Sequence, residues 1–441
     1  MDDRSAGPGG LDVAGRPTAR LPMAQLLQVS IYWFGISAVW GGWGFFSQER
    51  VPELVGAGET GLGMALLALV AMVVPLFLQP TIGSISDYTT SRWGRRKPYI
   101  AIGATLDVVF LIGIATSQSF LALLAFLLLL QFSSNFAQGP FQGYVPDLVP
   151  EAQVGIASGL MGLMSVLGLI GGTIILSLGY GFGRNWTVPL IAVGFIELAT
   201  ALGTVFWVRE GRAAKPREGR SWRQVALETW GTDVLRERSY VWLLVSRFFI
   251  LMAAAMFINF NIRYLTDSLG LDDDRKAFWV PALTGIVALA TVLGTVPSAR
   301  LSDRLGRKPL IYAGCAIGAV GMAILVAAPS VELAAVGAAL VGFGGGNFLA
   351  VDWALMTDII PKASSGRYMG LSNVATATNG PAAIALGGVI YWGVGNVVDP
   401  GTGIRFALLV AVGIYGLGAF CLRPVIEPRR AATVELVPAP G

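Results

Sequence analysis

The sequence predicts an all-α membrane protein: twelve transmembrane helices in two pseudo-symmetric six-helix bundles. Three observations carry this expectation. Of 441 residues, 54% are apolar and only 13% charged, about half the ~25% charged share of a soluble domain; the mean hydropathy is +0.65. Twelve apolar runs follow one another, each about 20 residues long and so able to cross a bilayer core. The third observation is an internal repeat. Ser86-Asp87 ahead of Gly94-Arg95-Arg96-Lys97-Pro98 recurs as Ser302-Asp303 ahead of Gly306-Arg307-Lys308-Pro309. Asp147, Pro150, Gly155, Gly159 and Leu160 recur as Asp358, Pro361, Gly366, Gly370 and Leu371, all at an offset of 211.

Residues 1–22 are polar, rich in Gly and Pro, and lack the apolar core of a signal peptide, so they read as a disordered cytoplasmic tail. The first bundle is expected over 23–208, with spans at 23–48, 61–86, 97–116, 119–146, 153–180 and 186–208. Several exceed the minimum and are expected to tilt or project beyond the hydrocarbon. Residues 209–238 form a charged cytoplasmic linker in which Trp222, Ala226 and Trp230 recur at helical spacing; a strip lying on the membrane surface and a solvated linker both fit. The second bundle is expected over 239–423, with spans at 239–266, 276–300, 308–329, 332–358, 366–393 and 402–423, followed by a tail at 424–441. Spans 5 and 11 are rich in small residues (Gly155, Gly159, Gly162, Gly168, Gly171 and Gly172 in span 5). These permit close helix packing, or a gliding surface.

Charge sets orientation. Of the 31 Lys and Arg, 24 fall in the tails, the linker and the loops after even-numbered spans, against six in the opposite loops; Arg247 lies inside span 7. Both termini are therefore expected in the cytoplasm, with the chain multi-pass in the cell (inner) membrane. The pI near 9.1 reflects the same bias. Attraction to anionic lipid accounts for it, and no nucleic-acid partner is expected. Arg outnumbers Lys 26 to 5, a bias of GC-rich bacterial genomes. Cys315 and Cys421 both sit in apolar spans, without disulfide or metal spacing. The chain has no His, which excludes His metal sites and His proton relays. No nucleotide loop or Ser/His arrangement exists, so no enzyme, cofactor or metal site is expected.

Asp87 ends a span on the side the charge bias assigns to the cytoplasm. A carboxylate there can reach the positive N-terminal end of a helix in the other bundle, or a nearby Arg. The pattern Gly83 to Asp87 followed by Gly94, Arg95, Arg96 and Lys97, repeated as Asp303, Arg304, Gly306, Arg307 and Lys308, resembles the loop signature of the major facilitator superfamily. Tyr88 departs from the usual basic residue. The resemblance implies the major facilitator fold and a gating role for Asp87, Arg95, Arg96, Asp303, Arg304 and Arg307. It adds the helix-4 acid Asp147 and its twin Asp358 to the same charge cluster. Simple orientation of the loops by Arg and Lys is the structural alternative.

Gln131, Asn135, Gln138 and Gln142 stand at i, i+4, i+7 and i+11 of a run that is otherwise apolar. Four carboxamides on one face must point to a bundle interior or an aqueous cavity. They fit a polyhydroxylated ligand, or interhelical glue. The stretch Asn135-Phe-Ala-Gln138-Gly139-Pro140, then Asp147-Leu148, is similar to the helix-4 motif of plant sucrose–proton symporters and their bacterial relatives. Gly94 to Tyr99 fits the same group, as do Asp352-Trp353-Ala354-Leu355, Asp358, Pro361, Gly366, Gly370 and Asn373. The resemblance implies sugar or glycoside transport coupled to protons. The departures are specific: Gln131 stands where the plant proteins carry the proton-site Asp, Gln142 where they carry an Arg, and Asn259 and Asn261 where span 7 carries acids. A Gln cannot carry a proton, so either coupling has moved or the protein is uncoupled.

Asp107 lies ten residues into span 3, about 15 Å deep, near the midplane. An acid there is a functional candidate by default, and Asp107 is the first choice for a proton carrier. Asp352 is the second; Phe141 stands at its counterpart in the first half. Arg247 in span 7 and Glu197 in span 6 can pair with these acids or with each other. Trp40 and Trp43 of span 1 could stack on sugar faces or belong to an interfacial belt. Asn347, Ser372, Thr376 and Asn379 supply polar groups to the second bundle. The expected protein is thus a secondary transporter binding a small polar solute, a sugar by resemblance, between two bundles, and acting as a monomer. Rivals are a drug or metabolite exporter of the same superfamily, an uncoupled facilitator, and a non-transporting membrane receptor.

Overall fold

The structure, a computed structural model, describes residues 19–150, 153–181, 185–210, 219, 221, 223–224, 237–359 and 365–427. Both tails, the Trp222/Ala226/Trp230 stripe and Pro361 lie outside the described residues. So do the side chains of Asp303, Trp353, Asp358 and Asn373, and all side-chain facts for Gly155, Gly366 and Gly370.

The chain is built of helices. In the first half these are α1 (Met23–Ser30), α2 (Tyr32–Val55), α3 (Thr60–Asp87), α4 (Lys97–Thr116), α5 (Phe120–Gln142), the short α6 (Tyr144–Leu148), α7 (Val154–Gly181) and α8 (Thr187–Trp207). The second half has α9 (Arg238–Arg263), α10 (Asp273–Leu305), α11 (Arg307–Ala327), α12 (Val331–Ile359), α13 (Ser365–Val397) and α14 (Pro400–Cys421). With α1 and α2 as two parts of the first span, these are the twelve expected helices in two six-helix bundles. Among the described residues, ten are long and apolar enough to cross a membrane by length and composition. Helix 97–116 has the expected bounds; others run on where polar residues still favour helix, as α2 does through Gln48, Glu49 and Arg50, continuing past Pro52 to Val55.

Local chemistry sets the ends. Ser119, Asp272 and Asp399 cap α5, α10 and α14, each side chain accepting a backbone N–H three residues on. The Thr402 hydroxyl and N–H hold the Asp399 carboxyl below the usual carboxylate range. Gly94 and Gly306 adopt φ of 117° and 92°, the region glycine tolerates, where the repeated loops turn into α4 and α11.

Packing repeats with the sequence. α4 packs on α5 and α8 in the first half as α11 packs on α12 and α14 in the second. Glycines set the closest crossings: a Cβ on Gly172 of α7 would stand 2.8 Å from Ala38 Cα of α2, whereas Gly159 and Gly162 face open space. Small residues in α7 therefore serve both packing and an open face. The halves meet along α3 and α13, α7 and α10, and α2 and α9. The face carrying Gly94–Lys97 and Gly306–Lys308 is called the motif face below; the opposite one, where α2 ends and α3 begins, is the far face.

Candidate functional site

Two cavities lie between the halves. One, of about 410 Å³, is lined by Trp40 and Gln48 of α2, Thr173 of α7, Asn259 and Asn261 of α9 and Thr284 of α10. The other, of about 360 Å³, is lined by Trp43 and Ser47 of α2, Met64 of α3, Asn259 of α9 and Ile384 of α13. These volumes include open solvent; the room in the two cavities for water-sized molecules is about 70 and 30 Å³. Asn259 borders both. Its Nδ2 donates to Ala255 O of its own helix at 2.8 Å. The structure thus brings Trp40, Trp43, Asn259 and Asn261 together, with aromatic faces beside carboxamides.

The far face is closed directly above them. Gln48 Oε1 accepts N–H groups from Ile262 (3.1 Å) and Arg263 (3.4 Å), and its Nε2 donates to Gly44 O and Asn261 Oδ1. Glu49 pairs with Arg263 at 3.5 Å and Lys276 at 3.4 Å. Asn396 of α13 donates to Gly58 O at 2.9 Å. Gly61 of α3 and Gly388 of α13 cross so tightly that a Cβ on Gly61 would lie 2.7 Å from Trp392 N. Gln48, Glu49, Arg263 and Lys276 were not singled out by sequence reasoning, since residues more than 200 apart in the chain leave no local signal of their pairing.

The amide stripe lies elsewhere. Asn135 Nδ2 donates to Gln131 O and Oε1, and Gln79 Nε2 of α3 donates to Asn135 Oδ1 (2.6 Å) and Gln138 Oε1 (2.5 Å). Gln131 and Asn135 are buried, and Gln138 and Gln142 half-buried. Three of the four amides are therefore engaged within α5 or against α3. Gln79, the partner missed, is the one carboxamide in span 61–86 and stands next to Pro80.

Two buried acids occupy different surroundings. Asp352 of α12 pairs with Arg247 of α9 at 2.5 Å, and Arg247 Nε donates to Thr376 of α13 at 3.2 Å. Asp107 of α4 accepts from Ser133 of α5 and neighbours Glu197 of α8, which accepts from Tyr32 of α2 at 3.5 Å. In the second half Asn347 and Ser372 are buried, with Asn347 Oδ1 and Ser372 Oγ unbonded. Asn379 donates to Thr376 O.

At the motif face the first-half charges gather. Asp87 binds Arg96 at 2.8 Å and Arg95 at 3.8 Å; Asp147 binds Arg95, and Arg96 at 2.7 Å. A Cβ on Gly143 would overlap the Arg96 guanidinium, so glycine makes room for it. Glu210, just after α8, accepts the N–H groups of Arg95, Arg96 and Lys97 at the start of α4, and the Tyr144 hydroxyl. Glu427, just after α14, accepts the N–H groups of Arg307 and Lys308 at the start of α11 in the same way. A carboxylate at a helix N-terminus meets its unbonded donors and positive dipole end. Arg307 also bonds Ser302, and Arg304 is exposed. The two glutamates stand at an offset of 217, six more than the 211 that relates Lys97 to Lys308, so the repeat did not point to them.

Comparison with known proteins agrees with this architecture. A sequence profile of the Major Facilitator Superfamily matches residues 26–378 and, again, 248–439. The human membrane-associated transporter protein is 24% identical over 213 residues, covering 44% of this chain and 36% of that protein. Sucrose transport protein SUT3 of Oryza sativa subsp. indica is 27% identical over 191 residues, 37% of each chain. These matches span a little over a third of the curated relatives' length. In three dimensions, a bacterial homolog of the human lysosomal transporter Spinster, in an inward-facing and occupied conformation, superposes with a TM-score of 0.69 at 14% identity, over 90% of this chain and 95% of that one.

Proposed function

The chain belongs to the Major Facilitator Superfamily, and on that premise we propose that it is a proton-coupled secondary transporter carrying a sugar or glycoside by alternating access. The observation that carries this reading is the pair of cavities between the halves, where Trp40 and Trp43 stand beside Asn259 and Asn261. Aromatic faces pack on sugar rings, and carboxamides both donate to and accept from hydroxyls. The partial similarity to a sucrose transport protein supports the same solute class.

In this reading residues 23–208 and 239–423 are the two moving bundles, 209–238 joins them, and both termini lie in the cytoplasm of a cell whose inner membrane holds a monomer. The motif face is then cytoplasmic, and closure of the far face by Gln48 and Glu49 is that of an inward-facing state. Asp87, Arg95, Arg96 and Asp147, with their counterparts Asp303, Arg304, Arg307 and Asp358, act as the cytoplasmic gate. Asn347, Ser372, Thr376 and Asn379 line the second half's side of the path, and the half-buried Gln138 and Gln142 the first half's, while Gln131 and Asn135 brace α5 against Gln79 of α3. Asp107 is favoured over Asp352 as proton carrier, because Arg247 already neutralises Asp352. An uncoupled facilitator is the second reading, supported by Gln131 at the position of the family's proton-binding Asp.

The test is uptake of labelled sucrose into proteoliposomes with and without an inward proton gradient. Accumulation that needs the gradient supports the proposal. Saturable equilibration that ignores the gradient selects the facilitator. Absence of saturable sugar movement across a panel of glycosides refutes the sugar reading.

A further inference from the structure

We infer that Asp107 and Glu197 form one proton-binding site, and that this carboxyl pair carries the coupling proton at a place separate from the solute cavities. The inference rests on the proton-coupled reading above. It adds Glu197 as the second half of the carrier and moves the proton away from the sugar.

Both side chains are 0% exposed. They face each other inside the first bundle, one from α4 and one from α8. Ser133 of α5 donates to Asp107 Oδ1, and Tyr32 of α2 to Glu197 Oε1. Asp107 Oδ2 and Glu197 Oε2 have no hydrogen-bond partner. Among the described residues, the groups acting on the two carboxyls are each other, Ser133 and Tyr32, with no Arg or Lys. The contrast with Asp352, held by Arg247, is direct. Two adjoining carboxylates buried away from the surface, with no counter-ion among the described residues, would leave two uncompensated charges. One proton removes a charge and supplies the missing donor between the two acids. The species that satisfies this pocket is therefore H⁺ itself.

The repeat argues that the acids are not there for packing. Gly318 stands 211 positions after Asp107, the offset that relates Lys97 to Lys308. In the second half the contact between α11 and α14, counterpart of α4 and α8, is filled by the Tyr415 ring, whose Cζ lies 2.7 Å from the Cβ position of Gly318. The same helix crossing is thus built there without a carboxyl.

α2 links the proton site to the solute site. Tyr32 bonds Glu197, and Gly35 packs so close that a Cβ would stand 2.7 Å from Glu197 Cα. Farther along the same helix, Trp40 and Trp43 line the cavities and Gln48 closes the far face. A change of charge at the pair is therefore felt by the helix that shapes the cavity and its closure. In each cycle one proton binds the pair from one side and leaves to water on the other, with no other bond changed.

The experiment uses the full chain in proteoliposomes with sucrose as the probe, comparing Asp107→Asn, Glu197→Gln and the double variant with the parent. Counterflow of labelled sucrose reads the solute path, and a trapped pH dye reads proton entry. All three variants are expected to keep counterflow and to lose sucrose-driven acidification. Parental acidification in both single variants overturns the inference. A parent without counterflow refutes the sugar reading instead, and a parent with counterflow but no acidification refutes coupling. In either case infrared spectroscopy of the purified protein decides the pair: a carboxylic-acid C=O band at neutral pH that is missing from the double variant supports it, and identical spectra overturn it. Should a single variant melt early, the double variant, which leaves no acid in the pocket, carries the test.

Discussion

Replacing Glu49 by Gln should loosen the far-face closure. In the structure one carboxylate oxygen meets Arg263 at 3.5 Å and Lys276 at 3.4 Å, and the three side chains are only 14%, 10% and 10% exposed. At an effective dielectric of about 20, a charge pair at such a distance is worth about 5 kcal/mol before desolvation. Opening the face returns all three charges to water, which offsets most of that. Exposed pairs contribute about 0.2–1 kcal/mol and breaking a buried one costs about 3–5 kcal/mol, so this mostly withdrawn triad should contribute about 1–3 kcal/mol to the closed state. A shift of about 1.4 kcal/mol is tenfold in population. The assay is labelling of a Ser47→Cys probe by a membrane-impermeant maleimide in a background with Cys315 and Cys421 replaced. Both native thiols are buried, and Ser47 lines a cavity beneath the closure. The labelling rate should rise about tenfold in Glu49→Gln. An unchanged rate in a variant that melts like its parent would refute the claim that the triad holds the closure.

Three further expectations follow from the same contacts. Asp87→Asn removes the anion shared by Arg95 and Arg96 and should raise cysteine accessibility from the motif face; unchanged accessibility would remove Asp87 from the gate. Asn259→Leu should weaken solute binding about threefold to tenfold through one lost hydrogen bond, while Asn135→Leu, which removes the donor to Gln131 and one of the two acceptors of Gln79, should instead lower stability by about 1–3 kcal/mol; binding isotherms and thermal melts separate the two. Arg247→Met alone should destabilise by about 3–5 kcal/mol by stranding Asp352, and Arg247→Met with Asp352→Leu should recover most of it, as read in denaturation midpoints.

The helices were legible because the membrane imposes one length and one composition on each: helix 97–116 could be bounded from Lys97 and the Ser117-Gln118-Ser119 break alone. The duplicated loop likewise announced the motif-face cluster, but Glu210 and Glu427, offset by 217 and not 211, fall outside that arithmetic. The cavity was only partly legible. Trp40, Trp43, Asn259 and Asn261 stood out as unusual residues in apolar runs, but nothing in α2 says that Gln48 will reach the backbone of α9. The stripe on α5 was visible while its partner Gln79 was not, since periodicity reports which face a residue shares and not what that face meets. Asp107 and Glu197 were each visible as acids in apolar helices. Their adjacency depends on how α4 crosses α8, which is a property of the packed bundle.

The crossing of Gly61 and Gly388 has a mechanical consequence. With no side chain between them, the two backbones touch at the far end of α3, and that contact can serve as a fulcrum. Asp87 lies 26 residues beyond Gly61 on the same helix, about 39 Å at 1.5 Å per residue. In a rocking cycle, a tilt of about 10° at the fulcrum would sweep the motif end through about 7 Å. On the transport reading proposed above, the long arm would multiply small adjustments beside Gly388, and the width of cargo able to leave would be set at the opposite end of the molecule from the door it uses.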